Sequence, residues 1–295
     1  MSVAARGGGT LLAFLLTATA ASAAEARRPQ VVEARASRDD TMAAPRAGPP
    51  FAIHELYIEV GRYSIRALCT GGRREVLLLH GDGASADTWR PVLERLDPSV
   101  GACAYDRPGS GESGPAPDVR GWYELADEMR RIHLALGFDG GYVLVGQALG
   151  GLYARLFAAD RPTDVAALLL VDPAHEDMPN RVRTGMPAAA WEDWMAGRET
   201  PNGDGVREVD LAARARGRRL PDLPVTVITA SRRPDGDGWD ARFLNEAARQ
   251  VHASILRGVE RARHVPAEGS GPDVQLEQPW IVTQEILRIL GASRR

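Results

Sequence analysis

Residues Gly141–Gly151 read GYVLVGQALGG. Val143–Val145 is a short apolar, β-branched run of the kind that forms a buried strand. Leu152–Ala159 (LYARLFAA) reads as a helix. Gly146, Gly150 and Gly151 lie between them and mark a glycine-flanked sharp turn from strand to helix. The middle of the turn, Gly146-Gln147-Ala148-Leu149-Gly150, carries alanine at its apex.

Outward from this stretch, apolar runs alternate with helical periodicities. Ile53–Val60 and Tyr63–Thr70 read as a hairpin turning at Gly61-Arg62. Glu75–His80 and Val165–Val171 are continuously apolar, as strands covered on both faces should be. Ala102–Tyr105, Leu223–Ala230 and Val259–Glu268 complete the expected strands. Helices are expected over Thr88–Leu96, Trp122–Leu136, Trp239–Ala253 and Glu277–Leu290. Strand–helix alternation of this kind implies an α/β fold with a mostly parallel sheet covered on both faces. Residues 173–220 break the alternation, with helical segments near Ala188–Ala196 and Val206–Gly217 separated by Pro201-Asn202-Gly203-Asp204-Gly205.

The 295 residues have a formal net charge of −3, which argues against a nucleic-acid partner. All 36 basic residues are arginine, consistent with a GC-rich coding bias. Residues 1–24 have the layout of a secretory signal peptide: Arg6, the apolar Thr10–Ala20, then small residues. The apolar stretch is short of the ~20 residues of a membrane span, so the expected location is secreted or periplasmic. Residues 25–50, rich in Ala, Arg and Pro, read as a disordered tether, and 51–295 as the folded domain. Cys69 and Cys103 fit either a disulfide in an exported protein or two buried thiols.

Four motifs, each at a strand end, carry a resemblance. They are His80-Gly81 with Trp89 downstream, Tyr105-Asp106-Arg107-Pro108-Gly109, the Gly146–Gly150 turn, and Glu268-Gly269-Ser270-Gly271. In this order they resemble the α/β-hydrolase superfamily, specifically its small secreted bacterial esterase-like or lactonase-like members. The resemblance implies eight strands and a small helical cap inserted after strand six. It makes the turn a nucleophile elbow, G-x-S-x-G, and puts Cys69 and Cys103 on neighbouring strands two and four.

The same resemblance exposes what the chain lacks. Serine hydrolysis needs a hydroxyl at the elbow, a histidine to take its proton and a carboxylate to orient that histidine. Ala148 stands at the nucleophile position and Pro272 at the histidine position. His264 is expected at the far end of the last strand. Asp172, after strand six, and Asp235 or Asp237, after strand seven, are alternative acids. Each also fits an ordinary turn aspartate. The resemblance assigns the oxyanion N–H groups to Asp82 and Leu149. His80, Gln147, His175, Trp191, Trp194 and Met195 are candidate pocket residues. The spacing of His, Cys and acids gives no metal motif, and no cofactor is implied. The expectation is a pseudohydrolase with a degenerate site that retains a pocket for a small or ester-like molecule. The alternative is a member or inactivated variant of a Ser-His-Asp ester or lactone hydrolase lineage. The sequence leaves the oligomeric state open.

Overall fold

The computed structural model describes residues 32–33, 52–116, 119–233 and 240–293. The signal peptide and nearly all of the tether lie outside them. Eight strands run in chain order: β1 His54–Val60, β2 Tyr63–Cys69, β3 Arg73–Leu79, β4 Val100–Tyr105, β5 Tyr142–Gln147, β6 Val165–Val171, β7 Val225–Ala230 and β8 Ala262–Ala267. They form one sheet in the order β8-β7-β6-β5-β3-β4-β2-β1. The pairs β1·β2 and β2·β4 are antiparallel and the rest parallel. Val32–Glu33 adds a short parallel rung outside β8, opposite Arg263 and His264. The α/β-hydrolase architecture expected from the sequence is therefore the one present.

The continuous apolar runs are explained by two cores, one on each face of the sheet. Leu77, Leu79, Leu168 and Leu170 pack on one side with α2 (Trp122–Ala135) and α3 (Leu149–Asp160). Their chain neighbours Val76, Leu78, Leu169 and Val171 pack on the other, with α1 (Arg90–Leu93) and α9 (Pro279–Ser293). Period-2 alternation thus feeds both faces at once. Each fully buried leucine contributes roughly 1.5–3 kcal/mol relative to exposure.

Cys69 and Cys103 face each other in the β2·β4 register, with Cα atoms 4.2 Å apart, and their sulfurs are bonded. Three helices lie between β6 and β7: α4 (Met178–Val182), α5 (Ala188–Glu199) and α6 (Glu208–Ala215). The first was not foreseen. α7 (Ala241–Ile255) follows β7, starting where the Asp240 carboxylate caps the Arg242 N–H.

Two helix expectations need correction. The segment expected as one helix over Thr88–Leu96 is a 3-10 turn, Ala86–Trp89, followed by the single turn of α1. The last helix is split. Val274–Glu277 forms α8, and Pro279 opens α9. Proline has no N–H to continue α8, but it suits the first position of a new helix.

Candidate functional site

The elbow sits at the C-terminal end of β5. Ala148 has φ 47° and ψ −117°, an unusual conformation for a residue with a Cβ. The turn is tight on both sides. A Cβ on Gly146 would stand 2.3 Å from the Gly150 carbonyl oxygen, and one on Gly150 would stand 2.5 Å from those of Leu79 and His80. Glycine is therefore required at both positions. The Ala148 N–H donates to Val171 O (3.1 Å), and its carbonyl accepts from Ala174 (2.8 Å), tying the elbow to the end of β6. Holding a non-glycine residue in such a conformation costs on the order of 1–3 kcal/mol.

Asp172, the residue after β6, also has positive φ, 41°. Both of its carboxylate oxygens have partners. Oδ1 accepts from the Ala230 N–H at 3.1 Å, and Oδ2 pairs with the Arg233 guanidinium at 2.6 Å. The Asp172 side chain is 6% exposed and that of Arg233 13%. The partner of this acid is therefore an arginine. Asp235 and Asp237, the other candidate acids, lie outside the described residues.

The Pro272 loop is fastened beside the elbow. The Gln147 amide donates to Pro272 O (3.5 Å) and to Asp273 Oδ1 (3.3 Å). Ser231 and Arg232 donate their N–H groups to Ser270 O, at 3.2 and 2.9 Å. His264 lies within β8, and its Nε2 is 2.7 Å from Thr229 Oγ1.

On the opposite side, the Gly81-Asp82 turn abuts the elbow: a Cβ on Gly81 would be 3.3 Å from the Ala148 methyl. His80 is buried, with Nδ1 2.7 Å from Gly81 O and Nε2 3.3 Å from Ser110 Oγ. Burial pushes its imidazole down to about 3. Leu149, which supplies the other oxyanion N–H in the family scheme, is the first residue of α3.

A cavity of about 270 Å³ opens between this floor and the cap. Ala148, Asp172, Arg233 and His252 line its base, and His175, Trp194, Arg198 and Glu208 line it from the cap side. None of its described lining residues carries a hydroxyl, a thiol or an amine. Trp191 does not line it; its ring packs 5.5 Å from that of Trp194. His80 and Gln147 lie behind the wall, outside the lining.

Neither lining histidine is arranged as a base. The Asp177 N–H donates to His175 Nδ1 (3.0 Å), so Nε2 carries the proton and donates to Ser254 Oγ (3.1 Å). His252 donates from Nε2 to Pro173 O (2.8 Å), and its Nδ1 accepts from Thr229 (2.9 Å). Burial pushes both imidazoles down to about 4. His252 Nδ1 lies 3.9 Å from Asp172 Oδ1. No local signal marks this approach, because α7 delivers His252 from 80 positions downstream only through tertiary packing.

The cap is pinned by buried ion pairs. Arg155 on α3 forms a forked pair with Glu176 at 2.8 and 2.9 Å. Arg107 donates from Nε to Asp204 (2.8 Å), and from its two terminal nitrogens to His80 O (2.6 Å) and Gly81 O (3.1 Å). Arg107 therefore holds the His80-Gly81 loop and the cap with one side chain. The glycine-rich motif around it marked the loop, whereas Asp204 read only as part of a turn. Among the described residues no group of His, Cys, Asp and Glu is arranged to hold a metal ion.

Comparison with known proteins agrees with the fold. A family model described as alpha/beta hydrolase fold matches residues 75–261. The uncharacterized protein YqjL of Bacillus subtilis is 23% identical over 218 residues, covering 72% of this chain and 82% of that protein. Esterase Rv0045c of Mycobacterium tuberculosis is 32% identical over 182 residues, 61% of this chain and 60% of that one. Monoacylglycerol lipase abhd6-A of Xenopus laevis is 32% identical over 108 residues, so the match spans 35% of this chain and 32% of the lipase. Of solved structures, a thermophilic esterase from Thermogutta terrifontis superposes with a TM-score of 0.59 at 21% identity, covering 81% of this chain and 98% of that one. A bacterial membrane phospholipase A gives 0.59 at 22% identity, covering 82% and 87%. At these identities the structural likeness speaks to fold alone.

Proposed function

Because the chain belongs to the alpha/beta hydrolase fold family, we propose that it is a member without serine-hydrolase activity that retains the pocket and binds a small molecule there. One observation carries this reading: none of the described residues that line the cavity above Ala148 carries a hydroxyl, thiol or amine. The remaining candidates are the carboxylates and imidazoles of the lining, or water activated by one of them, and each route needs an available, correctly placed lone pair. Each oxygen of Asp172 already accepts one hydrogen bond, from Ala230 or Arg233, Glu208 is paired with Arg198, and the single lone pairs of His175 and His252 accept from Asp177 and Thr229. The esterases and lipases among the relatives support a serine-enzyme ancestry, and so does the elbow, which keeps its strained backbone without the nucleophile that such strain serves. An exported location is part of the same proposal and rests on residues 1–24.

The test of this ancestry is reversion. Ala148→Ser together with Pro272→His should confer measurable hydrolysis of p-nitrophenyl acetate, while Ala148→Ser alone stays near buffer. Turnover remains modest because Arg233 keeps the acid; loss of the aspartate alone costs about 10⁴ in kcat in well-studied triads. A folded double variant that is inert on short and long acyl esters contradicts an inherited site.

A further inference from the structure

The cavity is rich in ionisable groups, yet each already has a partner. Arg233 is paired with Asp172 at 2.6 Å and also donates to Asn245 Oδ1 at 3.2 Å. Arg198 reaches across from α5 to Glu208 on α6, Nε to Oε1 3.2 Å, with each side chain 26% exposed. Its guanidinium carbon lies 3.4 Å from the centre of the Trp194 ring, so one face is covered. The N–H of His175 goes to Ser254 and that of His252 to Pro173. Two arginines and two carboxylates in the lining therefore cancel. Outside the lining, the Asp82 carboxylate lies close enough to act electrostatically on Glu208. Burial acts on both members of the cap pair, raising the Glu208 pKa and lowering that of Arg198. The remaining wall is apolar: Met178, Val182, Met186, Leu244, Ala248 and Val251.

A carboxylate entering this space would be desolvated with no unpaired cation among the described lining residues to meet it, a large penalty. It would also have to displace Glu208 or Asp172 from its arginine. An uncharged molecule meets neither obstacle. At ~30 Å³ per water-sized group, 270 Å³ holds about nine such groups. We infer that the cavity selects uncharged, largely apolar ligands of about nine heavy atoms, and that Glu208 sets this selectivity by neutralising Arg198. The inference rests on the ligand-binding reading above and adds the class of ligand and the residue that filters it. Methionine at two wall positions suits an adaptable apolar fit.

The experiment compares 2-octanone with sodium heptanoate, matched at about nine heavy atoms each. Binding is followed by tryptophan fluorescence, with Trp194→Phe identifying the reporter, and by calorimetry. The full chain should bind the ketone at least about tenfold more tightly than the carboxylate. Glu208→Gln, which leaves the Arg198 charge unopposed, should raise heptanoate affinity about tenfold or more, and adding Arg198→Met should abolish that gain. Equal or tighter binding of heptanoate by the native chain overturns the selectivity. So does an unchanged ratio in a folded Glu208→Gln variant. If that variant does not fold, the native ratio alone decides. Silence toward both molecules across a chain-length series overturns the ligand-binding reading and the selectivity with it.

Discussion

Asp204→Asn should be the most damaging single charge change in this protein. The carboxylate sits in the cap turn, and Oδ2 accepts from Arg107 Nε (2.8 Å) and Tyr153 OH (2.9 Å). The Arg107 and Asp204 side chains are 1% and 2% exposed. The substitution keeps the shape and removes the charge, leaving the Arg107 cation buried without a counter-ion. Removing one member of a buried pair costs roughly 3–5 kcal/mol, about a fifth or more of a typical ~5–15 kcal/mol domain stability. The Tyr153 ring, 5.0 Å from the Arg107 guanidinium, and the two carbonyls that Arg107 holds replace only part of the loss. Urea unfolding followed by tryptophan fluorescence measures it. Glu246→Gln on the surface of α7 is the control: its Arg249 partner is 58% exposed and it is 48% exposed itself, and such pairs are worth ~0–1 kcal/mol. If Asp204→Asn costs no more than Glu246→Gln, the buried network does not anchor the cap and the reasoning fails.

Acid should weaken the fold in two stages. The folded pKa values of His175 and His252, about 4, lie below the unfolded value of ~6.5. The unfolded chain therefore binds more protons, and stability, full above ~6.5, falls by up to ~1.4 kcal/mol per pH unit per histidine down to about 4. For Asp204, burial raises the pKa but Arg107 outweighs it and the net direction is down. Its contribution is present above ~3.9 and lost as pH falls through the lower folded value. Urea midpoints across pH 8 to 3 that stay flat to pH 4 would refute the histidine part. Reducing Cys69–Cys103, 34 positions apart, should lower stability by up to about 4 kcal/mol in the chain-entropy account, read as a shift in urea midpoint with and without reductant; an unchanged midpoint contradicts it. Ala148→Gly should stabilise by about 1 kcal/mol by relieving φ 47°. A clear destabilisation would show that the elbow does not hold Ala148 in that conformation.

What could be read from the sequence follows from where the signal is local. Val165–Val171 was placed to the residue because a strand buried on both faces is a bare apolar run. The elbow was visible because close backbone approach leaves only glycine at Gly146 and Gly150. The parts that escaped depend on distant segments meeting. Arg233 finds Asp172 only once β6 and β7 are paired, and His252 reaches the cavity only when α7 packs beside them. Asp204, in Pro201-Asn202-Gly203-Asp204-Gly205, has the composition of any turn until Arg107 is seen beneath it. The final helix, expected over Glu277–Leu290, is present as α9, but it starts two residues later because Pro279 sets its first position.

The central claim is that the scaffold persists without its chemistry. The direct measurement is steady-state hydrolysis of p-nitrophenyl esters of short and long acyl chains by the native chain. The account predicts rates indistinguishable from buffer at every chain length, in protein whose cooperative urea unfolding shows it to be folded. Turnover above buffer that Asp172→Asn abolishes would contradict it.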